Sequence, residues 1–270
     1  MKRAAISKLI YQNIKIHQLQ LKEQFLASKN QIGYFYLDAL LPEEIALKIY
    51  NKFPDIERTI ERKSLREQKF TAYQMNAYDS LLEEVVFAFQ DKKVVQLVSE
   101  ICGIKELLPD ANLYAGGVSL MSKNSFLNPH LDNSHDKDLE NWRVLNLLYY
   151  VSPDWKSENG GNLELWPHGL QKKQLTIESK FNRLVVMATH QNSWHSVSEI
   201  TANQVRCCVS NYYFSKDPLL SSDAFHVTTF RGWPSEKLKD VFLQIDNKIR
   251  SSVRFLFKKG LRENPHQYKK

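Results

Sequence analysis

From Asn112 to Phe214 the chain is a succession of short apolar or alternating runs separated by turn residues. The runs fall at 113–121, 143–151, 162–166, 173–177, 183–189, 194–199 and 205–214. Several short strands at such spacing predict an all-β sandwich or barrel.

Helical patterns flank this stretch. Ile6, Leu9, Ile10, Ile14, Leu21 and Phe25 recur at helical spacing with lysines between them, so 2–28 reads as a helix packed on the body. Residues 31–37 are aromatic and read as a strand. Leu41-Pro42-Glu43-Glu44 is a helix start, with proline in the first turn and acids behind it, and that helix runs to about Phe53. Residues 54–76 are charged and weakly periodic; a loop near a site and a surface connection fit equally. Residues 79–102 give two helical segments stopped at Gly103. Leu238, Val241, Phe242, Ile245, Ile249, Val253 and Leu256 mark a final amphipathic helix.

With 270 residues, 43% of them hydrophobic, the chain can bury one large core. The economical division is a single domain over 1–270: an N-terminal basic helix (1–30), supporting strand and helices (31–110), a β core (111–215) and a basic helical tail (216–270). The sequence has no apolar run of the ~18 residues that a membrane span needs. Lysines at 8, 15 and 22 interrupt any signal-peptide pattern. Cys102, Cys207 and Cys208 are an odd number and do not form a disulfide framework. The expected location is the cytoplasm, whose reducing conditions would also keep iron ferrous.

The net charge of +7 is unevenly placed. Residues 1–30 carry six Lys/Arg against one Glu, and 231–270 carry eleven against four acids, which leaves the middle at −5. Solvated helix faces account for such ends. The alternative is attraction of an anionic substrate or surface, through Arg231, Lys237, Lys248, Arg250, Arg254, Lys258, Lys259 and Arg262. No aromatic-interleaved basic motif points to nucleic acid.

The residues with the most chemistry are in Asn128-Pro129-His130-Leu131-Asp132-Asn133. In a strand His130 and Asp132 share a face, with Cα atoms roughly 7 Å apart. An imidazole and a carboxylate that converge suit a divalent first-row metal. His135 and Asp136 form a rival pair, but neighbours in a strand face opposite ways. A third ligand must come from a later strand. Of the eight histidines, His17 lies in the first helix, His168 in a turn, and His226 and His266 in the tail. His190, at a strand end, and His195, opening the next strand, remain.

Arg206 bears on that choice. It follows His195 by eleven residues, across a turn-like segment, in an otherwise apolar run. If the chain simply reverses, the two are cross-strand partners with Cβ atoms about 5 Å apart. If their strands lie in the two sheets of a sandwich, they converge across its core. An arginine facing a core needs a partner. That partner is either an internal carboxylate or a carboxylate on a small molecule.

In order, His130-x-Asp132, His195 and Arg206 resemble the signature of the iron(II)- and 2-oxoglutarate-dependent dioxygenases. Their flanks are similar to the prolyl-4-hydroxylase-like branch: Arg143-Val144-Leu145-Asn146-Leu147-Leu148-Tyr149-Tyr150, Trp155, Gly160-Gly161-Asn162-Leu163-Glu164-Leu165-Trp166, and Trp194-His195-Ser196-Val197. The similarity covers roughly 112–215, and more weakly 31–53. It implies an α+β fold, a double-stranded β-helix (jelly roll) core with N-terminal helices packed on it and a C-terminal amphipathic helix. It implies Fe(II) on His130, Asp132 and His195, which would be the catalytic centre, with three positions open. 2-Oxoglutarate would take two of these and dioxygen the third, and Arg206 would grip the far carboxylate of 2-oxoglutarate. Asn146 and Tyr114, then Tyr149 and Ser210, are further candidates to bond 2-oxoglutarate, and Trp166 and Trp194 to line the pocket. Ascorbate is the implied reductant.

The implied activity is hydroxylation of a C–H bond coupled to oxidative decarboxylation of 2-oxoglutarate. The substrate class stays open among a prolyl residue, an amino acid, a sugar and a lipid. Two other readings carry different expectations. A cupin-like enzyme would use metal without a keto acid; a non-catalytic binding protein would tolerate loss of all three ligands.

Overall fold

The computed structural model describes residues 1–256 and 268–269. Of the basic tail, Lys258, Lys259 and Arg262 lie outside the described residues, as does His266.

The chain opens with α1 (Arg3–Ile16) and α2 (Gln18–Ser28), which break at His17 instead of forming one helix. Next come β1 (Tyr34–Leu37), α3 (Glu43–Tyr50, entered through Pro42), β2 (Ile60–Lys63) and β3 (Glu67–Ala72). In α4 (Ser80–Ala88) and α5 (Lys92–Cys102), Asp79 and Asp91 accept hydrogen bonds from the first-turn amides of Leu81 and Lys93. Gly103 ends α5 at φ 64°, a left-handed conformation that favours glycine. The β region comprises β4 (Leu108–Pro109), β5 (Gly117–Met121), β6 (Phe126–Leu131), β7 (Trp142–Tyr150), β8 (Leu163–Leu165), β9 (Leu175–Ile177), β10 (Arg183–Ala188), β11 (His195–Val197), β12 (Arg206–Ser215) and β13 (Thr229–Phe230). α6 (Lys237–Leu256) closes the described chain. Among the described residues no helix is long and apolar enough to cross a membrane.

The strands form one curled antiparallel sheet in the order β1-β10-β7-β12-β5-β3-β6-β11-β8-β9. β13 adds to β6, β2 to β3 and β4 to β12. The curl brings β6, β11 and β8 over β7 and β12, as in a double-stranded β-helix. The charged stretch 54–76 therefore contributes two strands to the sheet. β2 and β3 form a hairpin, and β3 bridges β5 and β6.

The central strands are buried on both sides. Leu145, Leu147 and Tyr149 of β7, Leu184 and Val186 of β10, and Cys207, Val209 and Tyr213 of β12 join the main core. That core continues into α1, α2, α4 and α5 through residues such as Ile6, Ile10, Leu21, Phe25, Val85 and Val98. The opposite faces, Tyr150, Val185, Met187 and Cys208, form a second cluster inside the curl with Leu163, Leu165 and Ile177. Each large aliphatic side chain buried in this way contributes about 1.5–3 kcal/mol. All three cysteines are free and buried, and burial pushes the Cys207 thiol up to about 12.

α6 packs through Leu243 and Asn247, and Asn247 exchanges two hydrogen bonds with the backbone of Phe230. Its apolar stripe, Leu238, Val241, Phe242, Ile245 and Ile249, faces outward.

Candidate active site

His130 is the last residue but one of β6 and His195 begins β11, and the register makes them direct cross-strand partners. Their ring centroids are 4.1 Å apart. Asp132 follows one residue beyond β6, with its carboxylate oxygens 3.7 Å from His130 Nε2 and 3.4 Å from His195 Nε2. One ligand atom from each of the three lies within 4.8 Å of the others. Both imidazoles are oriented from behind. His130 Nδ1 is 2.8 Å from the Asn128 carbonyl and His195 Nδ1 is 2.9 Å from the Ser193 carbonyl. A carbonyl only accepts, so each Nδ1 carries the hydrogen and each Nε2 presents a lone pair inward. Phe230 stacks on the His130 ring at 5.1 Å.

The electrostatics suit a cation. Burial lowers the His130 pKa to about 3, with the neighbouring His195 adding to the effect and Asp132 opposing it, so the ring is neutral near pH 7. For Asp132, burial disfavours the charge. The Arg143 guanidinium and the two imidazoles outweigh it and hold the carboxyl well below its usual range. Arg143 is 3.0 Å from one Asp132 oxygen, and Asn146 Nδ2 donates to that same oxygen at 2.7 Å. Arg143 in turn donates to Asn146 and to Asn133, and lies 3.7 Å from the centre of the Tyr212 ring.

A β-bulge puts Arg143 there. Phe214 pairs with Arg143 but Tyr213 pairs with Leu145, so Val144 is an extra residue on β7. The bulge turns Arg143 to the side already occupied by Asn146, Leu148 and Tyr150.

Arg206 begins β12 opposite Met121 of β5. It is 4% exposed, and Nη1 donates to the Gly161 carbonyl at 2.7 Å. Its Nε has no partner, and among the described residues no carboxylate forms an ion pair with it. β11 pairs with β6 and β8, and β12 with β4, β5 and β7. His195 and Arg206 therefore converge across the curl and are not hairpin partners. Gly160 and Gly161, both at positive φ, allow the approach. A Cβ on Gly160 would meet the Glu199 oxygen at 1.9 Å, and one on Gly161 would press on Arg206 Cδ at 3.1 Å.

These groups line a cavity of about 360 Å³, together with Tyr114, Ser210 and Tyr150. Residues 116–214 match the family model described as the 2OG-Fe(II) oxygenase superfamily. Over that stretch the chain is a 2OG-Fe(II) oxygenase. Its cofactors are Fe(II) and 2-oxoglutarate, and its primary substrate is unidentified.

Solved structures agree on the fold of this oxygenase. A prolyl-4-hydroxylase from Pseudomonas putida is similar over 72% of this chain and 97% of its own, at 15% identity and a TM-score of 0.52. A structure of prolyl 4-hydroxylases from Phytophthora capsici covers 93% of this chain and 78% of its own, at 18% identity and a TM-score of 0.53. HygX from Streptomyces hygroscopicus, with nickel and 2-oxoglutarate bound, covers 71% and 85%, at 11% identity and a TM-score of 0.50. A comparison with curated proteins gave no match.

Several sequence-based expectations are corrected by the geometry. Tyr149 does not line the cavity: it is on the opposite face of β7, with its hydroxyl donating to Asn182 at 2.8 Å. Tyr150 takes the cavity side, with Arg206 5.2 Å from its ring centre. Asn146 lines the cavity, but its amide is committed to Asp132 and Arg143. Trp166 is buried behind β11, where Nε1 donates to Ser196 at 2.9 Å, and Trp194 also lies off the cavity. Of the rival pair, His135 pairs as an isolated bridge with Trp142 and packs on Phe225. His190 hydrogen-bonds the Ile32 carbonyl, away from the cavity. Arg143, Tyr150 and Tyr212 were missed as site residues, although strict alternation forward from Arg206 along β12 finds Tyr212.

Proposed function

We propose that His130, Asp132 and His195 hold the iron, that Arg206 binds the far carboxylate of 2-oxoglutarate, and that the chain hydroxylates a C–H bond of a separate substrate. The observation that carries this reading is the buried Arg206 guanidinium, with an orphaned Nε and no carboxylate partner among the described residues, on the same cavity as three convergent ligand atoms. A buried charge left so is costly unless a ligand completes it.

When bound, iron and 2-oxoglutarate supply the oxidative decarboxylation that yields succinate and carbon dioxide and drives hydroxylation. The protein's part is to orient and shield. The Asn128 and Ser193 carbonyls fix the two imidazoles. Arg143 and Asn146 fix Asp132 and keep it ionised. Tyr150 gives Arg206 a flat, apolar wall. Tyr114 and Ser210 are further polar contacts for 2-oxoglutarate.

The chain acts as one unit over 1–270, with the helices as a scaffold for the curled sheet. A reducing cytoplasm suits its three free cysteines. The substrate is a prolyl residue, as the names of the structural relatives suggest, or an amino acid, sugar or lipid; the shared fold does not choose among them.

Purified protein given ferrous iron, 2-oxoglutarate, ascorbate and air tests this reading. Slow succinate formation that Asp132→Ala removes supports it. Protein carrying one iron per chain yet making no succinate contradicts it.

A further inference from the structure

The mouth of the cavity carries charge that neither the metal nor 2-oxoglutarate uses. On β3, Glu67 and Lys69 alternate onto the cavity side, with Lys69 Nζ 2.9 Å from Glu67. Arg62 on β2 is the direct cross-strand partner of Lys69. Like charges placed opposite each other weaken a strand pair. Both nonetheless line the cavity.

Arg66 from the hairpin turn and Arg250 from α6, which also line the cavity, share a single carboxylate. Their Nε atoms are 3.1 Å and 2.9 Å from the same oxygen of Asp246. Arg250 is also tied to the Thr228 carbonyl and to Asn247, which fixes its guanidinium in place. The rim therefore sets four cations against two carboxylates. Lys69, Arg250 and Arg66 keep side-chain exposures of 24%, 25% and 36%, so solvent and solutes reach them. A cleft lined by an excess of one sign, with low-dielectric walls, concentrates the opposite sign inside it.

We infer that this rim, built from Arg62, Arg66, Lys69 and Arg250, receives an oxyanion borne by the primary substrate, of the phosphoryl, sulfuryl or carboxylate kind. The inference rests on the site reading above, in which Arg206 serves 2-oxoglutarate and Arg143 serves Asp132; the rim is then a third cationic group reserved for the other reactant. A substrate anchored there by its anion presents the C–H bonds beside it to the floor of the cavity, where the three ligands converge.

The full chain, loaded with manganese(II) as a redox-silent metal and saturated with 2-oxoglutarate, is titrated by calorimetry with inorganic sulfate and separately with acetate at low ionic strength. Uptake of sulfate identifies a dianionic group as the target, and uptake of acetate alone a carboxylate. In either case the pair Arg62→Gln/Lys69→Gln, and independently Arg250→Gln, weakens uptake by about tenfold, the size of a lost charge-assisted hydrogen bond. The affinity for 2-oxoglutarate is unchanged in both. Normal 2-oxoglutarate uptake with no uptake of either anion, or variants that take up the anion as wild type does, overturns this inference alone. Failure of the wild type to take up 2-oxoglutarate overturns the underlying site reading, and this inference with it.

Discussion

His130 and His195 face each other directly across the β6–β11 ladder, and each ring is turned by a backbone carbonyl so that Nε2 points at Asp132. Strand register and two backbone hydrogen bonds place the imidazoles, and Arg143 and Asn146 hold the Asp132 carboxylate, one residue beyond β6, against them. Several consequences can be measured.

The groups behind Asp132 set its metal affinity. Arg143→Gln and Asn146→Ala each remove a hydrogen bond to the carboxylate without touching the ligand set. Each is expected to lower iron or manganese affinity by about 10–100-fold, the usual cost of losing an outer-sphere partner. Calorimetric titration with manganese(II) checks this, with Asp132→Ala as the limit of no binding.

Arg206→Gln leaves metal binding near wild type and weakens 2-oxoglutarate by roughly 10–100-fold, as expected for a lost hydrogen-bonded charge of about 1.5–3 kcal/mol. Arg206→Lys recovers only part of that loss, because an ammonium lacks the planar fork. Competition binding at saturating manganese separates the two affinities.

Tyr149→Phe provides the contrast. Its hydroxyl serves Asn182 in the core and not the cavity. The change should cost about 0.5–1.5 kcal/mol of stability and leave 2-oxoglutarate affinity unaltered. Urea unfolding and the same competition assay decide it.

Gly160→Ala destabilises the fold. It combines a left-handed backbone with a Cβ placed 1.9 Å from the Glu199 oxygen. The expected loss is about 1–3 kcal/mol by urea unfolding.

The metal-free protein should weaken as pH falls. His130 is held neutral when folded, with its pKa lowered from 6.5 to about 3. Unfolding frees the ring to take a proton at its ordinary pKa, so the unfolded state binds more protons throughout the interval between the two values. Stability conferred by the neutral ring is complete above about pH 6.5 and is lost progressively toward pH 3. Asp132, also lowered, adds a further loss in the same direction below the usual carboxylate range. His130→Asn should flatten the profile between pH 6.5 and 4, measured by chemical unfolding with chelator present.

The strand spacing from 112 onward and the order His130, Asp132, His195, Arg206 were legible because turn residues and ligand types survive without three-dimensional context. The faces of the central strands were not. β7, β10 and β12 bury both sides, so Leu147, Leu148, Tyr149 and Tyr150 look alike in sequence, and Tyr149 could not be told from Tyr150 by hydropathy. The bulge at Val144 hid Arg143 further by breaking the two-residue period. The β2–β3 hairpin was unreadable for the opposite reason. Glu67 and Lys69 face a polar cavity, so the hairpin has no apolar alternation to betray a strand. In α6 the period was plain, but the residues that pack are Leu243 and Asn247, on the side away from the apolar stripe.

The most direct test of the account is an anaerobic titration of the full chain, first with ferrous iron and then with 2-oxoglutarate, followed by visible absorption. The account predicts one iron per chain and a charge-transfer band that grows with 2-oxoglutarate, is absent in Asp132→Ala, and requires much higher 2-oxoglutarate in Arg206→Gln. Stoichiometric iron with no spectral response to 2-oxoglutarate, or a response that Arg206→Gln leaves unchanged, would contradict it.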